Sequence, residues 1–166
     1  MRNGHADEIG KLIEPGRVHR RVYTDPDLFE LEMERIFSRA WLFVGHTSQV
    51  PNPGDFITTD LGRQPVIMVR HRDGTVHVLL NRCTHRGAKV VNERCGHAQR
   101  LTCCYHGWSF DTDGRLATVP VPEGCGEGFD KERSASPAHR GSASTAASYL
   151  RASPPRERAS KITSAR

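Results

Sequence analysis

Two short stretches of the chain each contain one cysteine and one histidine. One residue separates Cys83 from His85, and two residues separate Cys103 from His106. Seventeen residues lie between the two pairs. Soft thiolates bind iron–sulfur clusters and zinc, and imidazole binds iron, zinc or copper. The two pairs therefore predict one metal centre with two sulfur ligands and two nitrogen ligands.

Two kinds of centre fit this ligand set. A 2Fe–2S cluster accepts it when both cysteines bind one iron and both histidines bind the other. A structural zinc ion takes the same four atoms, but zinc motifs usually place two cysteines first and two histidines second. The mixed pairs favour the cluster, and a zinc-stabilised interaction domain stays open as an alternative.

A glycine follows each candidate histidine ligand. Gly87 lies two residues after His85, and Gly107 lies directly after His106. Glycine lets the backbone come close to a bound group and adopt positive φ angles. We therefore expect backbone N–H groups to point at the metal-bound sulfurs, which would tune the centre.

The pattern Cys-x-His-Arg-Gly followed by Cys-x-x-His-Gly-Trp resembles the Rieske domain of aromatic-ring-hydroxylating oxygenase α subunits. The similarity runs from about Val22 to about Glu132. It implies a mainly β fold, a small antiparallel β-sandwich with the ligand loops at its tip. It also implies that a Rieske-type 2Fe–2S cluster is bound by Cys83, His85, Cys103 and His106. The residues expected around those ligands are Arg86, Gly87, Tyr105, Gly107 and Trp108.

The resemblance also implies a role in electron transfer. In that family a ferredoxin or flavin reductase supplies electrons that derive from NAD(P)H. The cluster relays them singly to a mononuclear non-haem iron that activates O2, within trimers or hexamers of oxygenase subunits. A stand-alone Rieske-type ferredoxin is the alternative, but ferredoxins usually place their first cysteine ligand well before residue 83.

The sequence offers no catalytic residue for ring hydroxylation. A mononuclear iron of this family needs two histidines and a carboxylate, and only His139 follows His106. We therefore expect no mononuclear Fe(II) in this chain and no aromatic-ring hydroxylation by the chain alone. The expected reason is a truncation or frameshift after about Arg133.

Three segments are predicted along the chain. Residues 1–40 begin as a polar stretch and continue as an amphipathic helix at about 25–40. The helix has an apolar stripe that we expect to pack against the domain or a neighbouring subunit. Residues 41–133 form the Rieske domain and a glycine-rich connector, with tight turns at Asp73-Gly74 and Asp113-Gly114. Residues 134–166 are a Ser/Ala/Arg/Pro tail.

Charge and hydropathy exclude other classes of partner. The net charge is +5, but residues 134–166 carry all of it, so residues 1–133 are balanced at 18 basic and 18 acidic side chains. A nucleic-acid partner is not predicted. No apolar run reaches the roughly 20 residues of a membrane helix, and no signal peptide is recognisable, so we predict a cytoplasmic protein without a membrane partner.

The tail is predicted to be disordered. Ser, Ala, Arg and Pro make up 24 of its 33 residues. The tail therefore has too few large apolar side chains to offset the entropy lost on ordering. Brief trypsin treatment should therefore cleave after Arg140, Arg151 or Arg156 and leave a core that contains both Cys/His pairs. Mass spectrometry of the products checks this, and protection of all three bonds would contradict it.

Overall fold

The computed structural model describes residues 9–126, 128–135 and 147–151, the last of these by backbone only. The fold is mainly antiparallel β, as predicted. Its strands are β1 Ile13–Glu14, β2 Arg17–Val18, β3 Trp41–His46, β4 Asp55–Leu61, β5 Gln64–Arg70, β6 Val76–Leu80, β7 Cys95–His97, β8 Arg100–Thr102, β9 Ser109–Asp111, β10 Leu116–Thr118 and β11 Ala147–Arg151. The helical segments are Arg21–Thr24, Pro26–Glu32 and Met33–Phe37, with 3-10 turns at Thr47–Gln49 and Pro122–Cys125.

The N-terminal helix begins where the sequence predicts. The Asp25 carboxylate accepts a hydrogen bond from the Asp27 N–H at 3.0 Å, and Pro26 occupies the first turn. Both features favour a helix start. The α-helix Pro26–Glu32 continues as the π-helix Met33–Phe37, whose widened turn the sequence pattern did not indicate.

The apolar stripe of this helix is only partly covered. Phe29 and Ile36 remain 47% and 54% exposed. The helix contacts the β4–β5 turn through Arg63, whose guanidinium donates to the Glu30 carboxylate at 2.8 Å and lies 5.3 Å from the Phe29 ring centre. This turn is one place where the helix packs against the domain, as predicted.

Two larger sheets carry most of the domain, while β1 pairs with β2 and β3 with β11 in two-stranded sheets. A four-stranded sheet has the order β6-β5-β4-β7, and a three-stranded sheet has the order β10-β9-β8. Both predicted Asp-Gly turns join neighbouring strands. The His71 N–H donates to the Thr75 carbonyl at 2.8 Å across the first turn, and the Asp111 N–H donates to the Arg115 carbonyl at 2.8 Å across the second.

Strand β5 is buried on both faces and separates two hydrophobic cores. Side chains alternate between the faces of a strand, so Ile67 and Val69 enter the first core while Val66 and Met68 enter the second. The first core lies between the two sheets and also contains Cys83 and Cys103, with other members Phe56, Leu79, Val90, Val91, Leu101, Trp108, Phe110, Leu116 and Val119. The second core is completed by Val44, Val50, Leu61 and Val78.

The chain between β6 and β7 crosses from one edge of the four-stranded sheet to the other. β7 pairs with β4, not with β6, so no strand pairing closes this crossing. The buried side chain of Asn81 closes it instead. Its Nδ2 donates to the Val91 carbonyl at 2.7 Å, and its Oδ1 accepts from the N–H groups of Val90 and Val91 at 3.0 and 2.9 Å.

Strand β11, which pairs with β3, lies within residues 134–166, the segment predicted to be a disordered tail. Tyr149 lies opposite Phe43 and Leu150 opposite Leu42 in this antiparallel register. The prediction considered only the burial of side chains in a core, whereas an open strand edge offers backbone hydrogen bonds that need no core. Residues 136–146 and 152–166, on which the rest of the prediction falls, lie outside the described residues.

Across the part of the chain described here, no helix has the length and hydropathy that a membrane span requires.

The closure by Asn81 predicts a stability effect. Asn81→Ala removes three hydrogen bonds and leaves buried backbone groups unpaired, so we expect the free energy of unfolding to fall by about 2–4 kcal/mol. Urea denaturation of the metal-free protein measures it. Asn52→Ala is the matched control, because the Asn52 amide bonds Asp55 only at the surface. It should cost about 0.5 kcal/mol, and equal losses in both variants would contradict the assignment.

Candidate metal centre

Two loops at one end of the sheets carry the predicted ligands. The first ligand loop, residues 82–94, is the crossing between β6 and β7. The second ligand loop, residues 103–108, joins the paired strands β8 and β9, where Thr102 lies opposite Ser109. The sheets thus fix both ends of the second loop, whereas Asn81 fixes the first.

The two loops share one backbone frame. In the first, the Gly87 N–H donates to the Cys83 carbonyl at 2.8 Å and the Cys83 N–H donates to the Ala88 carbonyl at 2.8 Å. In the second, the Gly107 N–H donates to the Cys103 carbonyl at 3.0 Å and the Cys103 N–H to the Trp108 carbonyl at 2.8 Å. Each turn therefore runs from a cysteine to the fifth residue after it, with a glycine at the fourth.

Positive φ angles explain why those two positions are glycine. The φ angle is 81° at Gly87 and 70° at Gly107. A side chain in this left-handed region meets the neighbouring backbone, which costs about 1–2 kcal/mol. The frame turns each loop tightly enough for the histidine to stand beside its cysteine.

The predicted ligands form two close pairs, one of cysteines and one of histidines, that differ in exposure. Cys83 and Cys103 are buried, at 3% and 1% exposed, and the Cys103 sulfur lies within hydrogen-bonding reach of the Cys83 thiol. His85 and His106 are exposed, with ring centres 4.7 Å apart. The sulfurs face the first core and the imidazoles face the surface.

Opposing effects act on the Cys83 thiol. Burial raises its pKa, and the neighbouring Cys103 raises it further, whereas the N–H groups of His85 and Arg86 lower it by hydrogen bonding to the sulfur. Those N–H groups point at the sulfur as the glycine pattern predicted. In the metal-free protein the balance favours the neutral thiol, so metal binding must release its proton.

The imidazole of His85 is biased toward its neutral form. Reduced contact with water lowers its pKa, and the positive charges of His106 and Arg86 lower it further. A neutral imidazole is the form that binds metals. This effect also shows that the Arg86 charge lies close to the predicted ligand His85.

Aromatic rings support both histidines. The Trp108 indole stacks on the His85 ring with centres 4.8 Å apart and an interplanar angle of 8°. The Tyr105 ring lies 3.9 Å from the His106 ring, centre to centre, while Tyr105 itself remains exposed. Both residues were predicted to lie near the ligands. Cys104 is also exposed, between the ligand Cys103 and Tyr105.

Three further contacts were not predicted. The Phe129 ring lies 5.6 Å from the Trp108 ring, centre to centre. The Thr84 hydroxyl donates to the Ser134 carbonyl at 2.6 Å. A Cβ atom at Gly107 would lie 3.1 Å from Cγ of Pro120. Glycine and charged residues surround Phe129 and Ser134 in the sequence, which gave no signal that this segment folds back.

The donor set fits a two-iron cluster. Two buried thiols stand beside two surface imidazoles, which is the division that mixed 2Fe–2S ligation requires. A cluster of this kind supplies one-electron exchange when bound. Within the described residues, no group of three or more His, Cys, Asp or Glu side chains, the four predicted ligands included, is close enough together to hold a single metal ion.

The loop glycines give a paired prediction. Gly87→Ala should destabilise the metal-free protein by about 1–2 kcal/mol through the left-handed backbone alone, because no atom lies within 4 Å of the added Cβ. Gly107→Ala should cost more, because its Cβ also meets Pro120 at 3.1 Å. Urea denaturation compares the two, and a larger loss in Gly87→Ala would contradict the geometry.

Comparison with protein families gives a match over most of the sheets and both loops. Residues 40–129 match the family model described as the Rieske [2Fe-2S] domain. The matched segment begins just before β3 and ends in the segment after β10, so it contains all four predicted ligands.

Similar proteins match a longer part of the chain. The benzene 1,2-dioxygenase subunit alpha of Pseudomonas putida is 46% identical over 121 residues, which cover 72% of this chain and 27% of that protein. The biphenyl 2,3-dioxygenase subunit alpha of Rhodococcus jostii is 45% identical over 127 residues, 75% of this chain and 28% of that protein. The chain thus spans just over a quarter of their length.

A solved structure shows the same architecture. The crystal structure of naphthalene 1,2-dioxygenase from Rhodococcus sp. bound to indole superposes with a TM-score of 0.79 at 27% identity. The match covers 89% of this chain and 34% of that one.

Proposed function

Because this chain belongs to the Rieske [2Fe-2S] domain family, we propose that it transfers single electrons through a cluster bound by Cys83, His85, Cys103 and His106. Both cysteines would bind the inner iron and both histidines the outer iron. The chain's own residues then have separate tasks. The paired loop frames hold the sulfurs in the first core, and the aromatic rings orient the imidazoles.

The observation that carries this proposal is the gradient of exposure across the ligands. A redox centre that exchanges electrons with other proteins needs one accessible side, and it needs a dry side that limits side reactions and tunes its potential. Here the thiols are buried and the imidazoles are exposed. Electrons would therefore enter and leave at the histidine side.

We further propose that the electrons serve an aromatic-ring oxygenase. The similarity to dioxygenase α subunits at 45–46% identity supports this placement. A ferredoxin or flavin reductase would be the donor. The acceptor would be a mononuclear non-haem iron held elsewhere in an assembly of such subunits, since His85 and His106 are committed to the cluster.

The ligand assignment predicts a defined composition. Anaerobically reconstituted protein should contain two irons and two acid-labile sulfides per chain, and reduction should take up one electron. The reduced form should give an electron paramagnetic resonance (EPR) spectrum with the low average g value of mixed nitrogen and sulfur ligation. Metal and sulfide analysis with reductive titration measures these quantities.

Two variants test the ligands separately. His85→Cys should raise the average g value, because sulfur replaces nitrogen at one iron, whereas Cys104→Ser should leave the spectrum unchanged. One equivalent of zinc without sulfide would support the zinc alternative and contradict the proposal. A reduced protein that passes no electron to an artificial one-electron acceptor would contradict the electron-transfer role.

A further inference from the structure

The segment that follows β10 folds back onto both ligand loops. We call residues 128–135 the connector. It contacts the second ligand loop through Phe129 and the first through Ser134. Neither Phe129 nor Ser134 belongs to a ligand motif.

The first contact forms a continuous stack that leads to a ligand. The Phe129 ring meets the Trp108 indole edge to face, at an interplanar angle of 69°, and the indole stacks on the His85 ring. Edge-to-face and stacked pairs of this kind are each favourable beyond the area they bury. Trp108 is only 6% exposed, and Phe129 packs on the same core.

The second contact anchors the connector independently. The Thr84 hydroxyl lies between the ligands Cys83 and His85 and donates to the Ser134 carbonyl at 2.6 Å. A local turn presents that carbonyl. The Asp130 carboxylate accepts from the Glu132 N–H at 2.9 Å, and the Ser134 N–H donates to the Asp130 carbonyl at 3.2 Å.

The position of His85 shows why such support is needed. Its ring is exposed and makes no hydrogen bond with the described part of the chain, so the backbone frame fixes its Cα but not its ring. The stack on Trp108 restrains the ring plane. Phe129 in turn contacts the indole edge to face.

We propose that Phe129 is a positioning residue for the cluster ligand His85, acting through Trp108, with the Thr84–Ser134 hydrogen bond holding the connector in place. This inference rests on the proposed function only in so far as His85 binds iron. The contact between Phe129 and Trp108 is testable without any metal. A movement of the connector would therefore change the position of the His85 ring.

The first experiment uses the metal-free full chain. Trp41 is the only other tryptophan, so a Trp41→Phe background isolates Trp108. Phe129→Ala in that background should shift the emission of Trp108 to longer wavelength and increase its quenching by acrylamide, because water reaches the indole. Phe129→Tyr should restore both values. An unchanged emission in Phe129→Ala would overturn the proposal.

The second experiment uses the reconstituted full chain. Phe129→Ala should change the EPR g values and the reduction potential, and a chelator should remove iron about tenfold faster, as expected when the support of a metal ligand is lost. Thr84→Val should change the same quantities in the same direction, and Phe129→Tyr should keep the wild-type values.

Val66→Ala controls for a general loss of stability. Val66 is fully buried in the second core, on the other face of the sheet. Its loss should lower the unfolding midpoint but leave the g values and the potential unchanged. Equal spectral changes in Val66→Ala and Phe129→Ala, or none in Phe129→Ala, would overturn the positioning role. Absence of a cluster in the wild-type chain would instead contradict the proposed function and leave the fluorescence result standing.

Discussion

The site depends on a pair of backbone hydrogen bonds that each ligand loop makes with itself. A glycine N–H donates back to the cysteine carbonyl, and the cysteine N–H donates to the fifth residue onward. The loops differ by one residue in the spacing from cysteine to histidine, yet the frame is the same in both. The glycine position, not the histidine position, is therefore what the two loops have in common. Positive φ at Gly87 and Gly107 is the local condition for the frame.

The fold supports the two loops by different means. The second loop is the end of a hairpin, so the ladder between β8 and β9 sets its ends. The first loop joins strands at opposite edges of a sheet and has no ladder of its own. The buried side-chain amide of Asn81 holds this loop by three hydrogen bonds, one donated and two accepted. At its far end, the first loop is also held by Thr58, whose N–H donates to the Arg94 carbonyl and whose hydroxyl donates to the Glu93 carbonyl, both at 2.9 Å.

Local features of the structure were predictable from the sequence, and long-range ones were not. The two Asp-Gly turns and the helix start at Asp25 depend on residue types within a few positions of each other. The four ligand positions follow from the same kind of local pattern and stay a prediction. β7 was missed, because Cys95, Gly96 and His97 show no strand pattern and form a strand only through pairing with β4. The contact of Phe129 with Trp108 was also missed, because the residues around Phe129 carry no local signal of a long-range contact. The prediction for the tail used only its lack of large apolar residues. That criterion does not include backbone pairing with the edge of β3.

The crossing between β6 and β7 has a consequence for biosynthesis. On one edge, β4 pairs with β5, which follows it directly in the chain. On its other edge it pairs with Cys95–His97, which lies about forty residues later. Cys83 emerges from the ribosome before the strand that closes its loop, and Cys103 emerges later still. Non-local pairing of this kind forms slowly relative to local hairpins. The two thiols therefore become neighbours only after most of the domain has been translated.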